Sequence, residues 1–145
     1  MFDFEIKRFL KKFKEFKGVF ALNELPKIVS WPFACVVNTQ PRTMPGEHWV
    51  AIFINHQGKG RYFDSYGLPP MKLEFLDFLF NNTYTWDYSR IPIQSVVSVS
   101  CGEYSTVYIM KRCLGWQHKD VTDLFLRSSI HLNDDLVKAE LLNRY

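Results

Sequence analysis

Four residues carry types and an order that suit covalent chemistry at a carbonyl: His48, Asp64, Gln94 and Cys101. A thiol is a weak nucleophile until it loses its proton, and an adjacent imidazole can take that proton. A carboxylate on the second ring nitrogen fixes the tautomer of the imidazole and supports its charged form. A side-chain amide donates hydrogen bonds without titrating, which is what a developing oxyanion needs. The set therefore suits attack on a carbonyl through an acylated cysteine, provided that the fold gathers the four side chains; taken singly, each residue type is more often structural.

The elements that must do so are legible as patterns. His48 opens an apolar strand running to Ile54, and Asp64 closes a strand that starts at Gly60 or Arg61. The turn Asn55-His56-Gln57-Gly58-Lys59-Gly60 joins them into a hairpin, which returns the carboxylate to the imidazole at one sheet edge. Cys101 falls at the first turn of a helix reaching about Leu114, where unpaired N–H groups and a partial positive charge favour a thiolate. Gly102 follows it, so a substrate carbonyl can come close, and the amides near residues 101 and 102 can help to hold an oxyanion.

Around this frame, Phe2, Ile6, Phe9, Leu10, Phe13 and Phe16 recur at helical steps with lysines between them, giving an amphipathic basic helix over 1–17 that ends near Gly18. Phe33 to Asn38 reads as a buried strand, and Met71 to Phe80 as a helix started by Pro69-Pro70. Trp86 to Ile93 supplies one or two short strands. Val121 to Phe125 and Leu136 to Leu142 read as closing helices, the second with Asn133 as its N-cap. The expected class is α+β, with helices around a small, central, mainly antiparallel sheet. The expected organisation is a single domain over 1–145, with a catalytic core at 18–115 and closing helices at 116–145.

Composition narrows the function. The chain has 145 residues, 47% of them hydrophobic, enough for one compact core with little room for a second domain. Net charge is +3, short of what would by itself imply a nucleic-acid partner. The excess sits in Lys7, Arg8, Lys11, Lys12, Lys14 and Lys17, read first as a solvated helix face and second as a weak contact for a polyanion. The three cysteines, Cys35, Cys101 and Cys113, are odd in number and lack CxxC spacing, which argues against a disulfide framework and a thiolate metal site. No apolar run is long enough to span a membrane, and Met1-Phe2-Asp3-Phe4-Glu5 lacks the order of a secretory signal. A reducing, intracellular setting is expected, with no cofactor and no metal.

His48-Trp49, then Phe63-Asp64-Ser65-Tyr66-Gly67, then Gln94 and Ser100-Cys101-Gly102 resemble the His–acid–Gln–Cys series of the adenovirus-type and ubiquitin-like-protein cysteine proteases. Cys35-Val36-Val37-Asn38-Thr39, Arg42 and Gly46-Glu47-His48-Trp49 resemble the adenain branch in particular, over a span of about residues 18 to 115. Adenoviral enzymes typically carry Glu where this chain has Asp64, an acid that other branches use. The resemblance implies a narrow cleft favouring small residues such as Gly on the acyl side of the cut. Trp49 would wall that groove, and the loop Gln40 to Glu47, with Gly46 and Glu47 at its end, would border it. It also implies maturation of capsid or core proteins of a virus or virus-derived element, in the host cytoplasm or nucleus or inside a virion. A peptide activator is left open. Three alternatives stand beside this: a protease of ubiquitin-like modifiers; acyl transfer from a thioester cofactor, for which no coenzyme site is evident; and a non-catalytic module binding protein or nucleic acid, the latter through Lys7, Arg8, Lys11, Lys12 and Lys14.

Overall fold

The computed structural model describes residues 1–143. The last two residues of the expected 116–145 segment lie outside them. The order is α1 (Asp3–Leu10), β1 (Phe16–Phe20), β2 (Phe33–Asn38), β3 (Trp49–Ile54), β4 (Lys59–Phe63), α2 (Leu73–Asn82), β5 (Thr85–Tyr88), α3 (Cys101–Cys113), α4 (His118–Asp123) and α5 (Asn133–Leu142). The five strands form one sheet in sequence order. β2, β3 and β4 pair antiparallel, as the hairpin requires, while β1 and β5 add parallel edges to β2 and β4. The sheet is thus mixed, built outward from an antiparallel centre.

Both faces of that centre are covered, which is why β2 and β3 read as continuous apolar runs rather than as alternating ones. Ala34, Val36, Ala51, Phe53 and Phe63 point into one core, shared with Ile6 and Leu10 of α1 and with Tyr104, Val107 and Tyr108 of α3. Phe33, Cys35, Val37, Val50, Ile52 and Ile54 point the other way, onto Phe75, Phe78 and Leu79 of α2. The two-residue period of a strand sends neighbours to opposite layers. α3 is the helix laid against the sheet beside β3, so its first residue arrives where β3 begins.

Two expectations are corrected. The amphipathic helix does not run over 1–17. It stops at Leu10, and Phe16 begins β1. The helical spacing of Phe13 and Phe16 is overridden because β2 has an open edge, and residues 16–20 satisfy it through a ladder pairing Gly18 with Cys35 and Val19 with Val36. Asn133 does not cap α5 with its side chain. It is fully buried and turned inward: Oδ1 accepts the Leu126 N–H at 2.8 Å, and Nδ2 donates to the carbonyls of Ile93 and Leu126 at 2.8 Å each. Three backbone groups without partners of their own outbid a cap.

Candidate active site

The hairpin register explains the first contact. Ala51 pairs with Phe63 across β3 and β4, and continuing that register sets His48 opposite Tyr66 and one diagonal step from Asp64. On one face of an antiparallel pair such diagonal neighbours are within reach. The His48 Nε2 lies 2.9 Å from Asp64 Oδ1, with both side chains largely buried. Asp64 is itself held by the Tyr66 N–H, which donates to Oδ1 at 2.8 Å, and by a tight turn closed from Gly67 N–H to the Asp64 carbonyl at 2.8 Å. Gly67 has φ +76°, and a Cβ there would meet the Arg90 carbonyl oxygen at 2.9 Å, so the turn needs glycine.

Nδ1 of His48 is left for Cys101, whose thiol is hydrogen-bonded to the ring. Cys101 is the first residue of α3, and the Trp49 N–H at the start of β3 points at its Sγ from 3.5 Å. Burial pushes this thiol up, but hydrogen bonds from His48 and from the Trp49 amide outweigh it, and the net pKa is lowered from the ordinary value. The other two cysteines behave oppositely. Burial drives Cys35 far upward, and burial with the Glu15 carboxylate nearby raises Cys113 to about 12. Burial alone would lower His48, yet its hydrogen bonds to Asp64 and Cys101 and their charges raise it to about 9. Cys101 is therefore the thiol poised to ionise, beside an imidazole poised to hold the proton.

Gln94 is also buried, but the structure keeps its amide on its neighbours. Oε1 accepts the Ser65 hydroxyl, while Nε2 donates to the Ser98 carbonyl at 3.2 Å and to Ser98 Oγ at 3.1 Å. Ser98 Oγ donates in turn to Asp134 of α5 at 2.8 Å, and Tyr66 Oη donates to the Ser98 carbonyl at 3.1 Å. Gln94 thus clasps the turn leading into Cys101. Gly102 does not face an open space: a Cβ there would meet the Met1 side chain at 2.8 Å and the Trp49 ring at 3.1 Å. Gly46, Glu47 and Trp49 border a hollow of about 380 Å³ that includes Cys101 and His48. Trp49 is fixed there by its Nε1–H, which donates to the Met1 carbonyl at 3.0 Å.

Two contributors escaped the reading of the sequence. Tyr66 stacks on the His48 ring, centroids 5.0 Å apart and planes 24° apart, as its place opposite His48 in the register would have foretold. Met1, Phe2 and Asp3 line the hollow at Cys101, which no local pattern signals. Among the described residues no cluster of His, Cys, Asp or Glu could hold a metal, and no helix is long and apolar enough to cross a membrane.

This five-stranded mixed sheet with its helices matches the α+β fold of the pS273R and Ulp1 cysteine proteases. One sequence relative is a viral protein: the chain is 34% identical over 93 residues to "Cysteine protease S273R" of African swine fever virus, a match covering 55% of this chain and 33% of that protein. The crystal structure of the African swine fever virus protease pS273R superposes with a TM-score of 0.62 at 19% identity, covering 97% of this chain and 65% of that one. The SUMO protease Ulp1 superposes with a TM-score of 0.53 at 12% identity, covering 97% and 78%. The chain spans about a third of the length of the curated relative that it matches. No family model matches the chain.

Proposed function

We propose that this chain is a cysteine endopeptidase that cuts polypeptides through a thioester acyl-enzyme. The observation that carries this reading is the Cys101–His48–Asp64 chain of contacts, with the one lowered thiol at the N-terminus of α3. In the first half of the reaction the Cys101 thiolate forms a bond to the substrate carbonyl carbon, whose π electrons move to oxygen. As that oxyanion collapses, the C–N bond breaks and the His48 imidazolium gives its proton to the departing amine. His48 then takes a proton from water as its oxygen attacks the thioester, and the C–S bond breaks to release the acid and restore the thiolate. Asp64 holds the ring with Nδ1 toward sulfur and supports its charge.

The oxyanion would be met by main-chain amides at the start of α3 and by Gln94, once a hydrogen of its Nε2 leaves Ser98. Gln94→Ala is then expected to lower kcat by about 10²–10³. Steady-state cleavage with thiol labelling at normal stoichiometry checks it; unchanged kcat would make Gln94 a purely structural clasp.

Similarity to a viral cysteine protease supports a maturation role on capsid or core proteins, and the walls set by Gly46, Glu47 and Trp49 support small, Gly-containing acyl-side residues. The Ulp1-like fold favours a second reading, removal of ubiquitin-like modifiers. An electrophilic Gly-Gly peptide, followed by mapping of the modified residue, tests the shared chemistry, with labelling expected at Cys101. Gly-Gly-ended modifier probes set against capsid-type Gly-containing peptides then separate the two readings. Lys7, Arg8, Lys11, Lys12 and Lys14 stay exposed on α1 and just after it, and any contact they make with nucleic acid should weaken steeply with salt.

The reactive pair exists between the lowered thiol pKa and the raised imidazole pKa, so kcat/KM should fall on the alkaline side near pH 9. Because the His48 pKa is raised from 6.5, its contribution to stability is complete below pH 6.5 and fades as pH rises through about 9. Asp64→Asn removes the main support for the imidazolium, so the alkaline limb should move to lower pH. A limb that stays near pH 9 in Asp64→Asn would deny the carboxylate this role.

A further inference from the structure

Two hollows meet at the Cys101–His48 pair, and both include Glu47, His48, Val99 and Cys101. They differ in what lies beyond. The first, about 380 Å³, continues past Gly46 and Trp49 to the polar side chains of Asp3, Asn38, Gln40 and Arg42. The second, about 550 Å³, continues past Asp64 and is lined mainly by Tyr62, Tyr66, Leu68, Met71 and Phe75, with Lys72 at its edge. Its floor is the buried pair Tyr62 and Phe75, in edge-to-face contact at 5.2 Å, while its rim is open: Leu68 is 46% and Met71 75% exposed.

We infer that this second hollow receives the residue just after the cut, and that it selects a large apolar side chain there. The inference rests on the protease reading above and deepens it. The first hollow wraps the sulfur side, where the Trp49 amide points at Sγ. The second wraps the imidazole side, where Asp64 and the stacked Tyr66 support the ring. A peptide laid across the pair puts its acyl half beside the sulfur and its amine half beside the imidazole that must protonate it. The departing half therefore leaves through the apolar hollow, which is continuous with the reacting atoms. Its size exceeds one side chain, leaving space for the next stretch of backbone. Burying an apolar group against Tyr62 and Phe75 is favourable, whereas a carboxylate would lose its water against the same rings, and the Lys72 ammonium at the edge already donates to the Thr39 carbonyl.

The test uses peptides identical on the acyl side, ending in Gly-Gly, followed by Leu, Ala or Asp. Wild type is expected to cleave the Leu peptide with a kcat/KM about 10–100-fold above the Asp peptide, with Ala between. Leu68→Asp and Met71→Asp, at exposed positions that tolerate charge, should bring that ratio close to one or reverse it. Phe80→Ser, an 82% exposed site outside both hollows, should leave the ratio as in wild type. An electrophilic Gly-Gly peptide, which carries only the acyl half, reports on the pair itself. Labelling of Cys101 with a flat Leu–Ala–Asp profile overturns this inference and leaves the protease reading standing. A Leu preference that survives both Asp substitutions also overturns it, because the selecting surface is then elsewhere. Absence of both labelling and cleavage removes the protease reading and this inference with it.

Discussion

Cys101→Ala is expected to abolish peptide cleavage and covalent labelling together, with a loss in kcat approaching the ~10⁶ seen when a nucleophile is removed from an assembled site. The expectation follows from how differently the three thiols are held. Cys35 lies between β1 and β3 in the middle of the sheet, and Cys113 sits at the far end of α3 with the Glu15 carboxylate nearby, so burial and charge keep both as thiols. Only Cys101 meets an imidazole, an amide donor from β3 and the N-terminus of α3 together. Cys35→Ala and Cys113→Ala should accordingly leave labelling intact, which mass spectrometry of the probe-treated variants checks directly. Cys101→Ser should fail nearly as badly, because a hydroxyl is far harder to ionise than a thiol and the same neighbours cannot close that gap. Labelling that persists at full stoichiometry in Cys101→Ala would mean that the reactive thiol lies elsewhere.

The legible part of this site is the part set by strand register and helix ends. His48 and Asp64 flank a hairpin whose turn is written in Asn55-His56-Gln57-Gly58, and register then fixes which side chains meet across it. Cys101 begins a helix whose apolar residues had to face the sheet, so its position at the start of β3 follows from packing. Gln94 was legible only as a residue type. Where its amide points depends on Ser98, and Ser98 depends on Asp134, which comes back from α5 near the end of the chain. No local pattern encodes such a return. The same reason hid β1: Phe13 and Phe16 continue the helical spacing of α1, and only the open edge of β2 turns residues 16–20 into a strand. The apolar hollow beside His48 was hidden too, because its floor comes from β4 and α2 and its rim from the loop between them. The sequence thus encodes the reacting pair locally and its surroundings through long-range packing.

That long-range dependence has a measurable centre at Asn133. Its side chain supplies the partner for one backbone N–H and two backbone carbonyls, at Leu126 and Ile93, and it is fully buried. Asn133→Ala removes all three bonds and leaves those groups with neither protein nor bulk-water partners. Each stranded group costs about 1–3 kcal/mol, but relaxation recovers part of it, so a net loss of about 3 kcal/mol is expected. For a chain of this size that lowers Tm by roughly 6–12 °C. Urea unfolding should show a lower midpoint with little change in slope, since the surface exposed on unfolding is nearly the same. The thiol–imidazole contact joins the residue just before β3 to the first residue of α3 and does not pass through Asn133, so labelling of Cys101 should survive well below the new Tm. Turnover should suffer more than labelling, because Ile93 immediately precedes Gln94 and its carbonyl would lose the Asn133 donor. If Asn133→Ala keeps the Tm within about 1 °C of wild type, α5 does not anchor the Gln94 segment in the way these bonds imply.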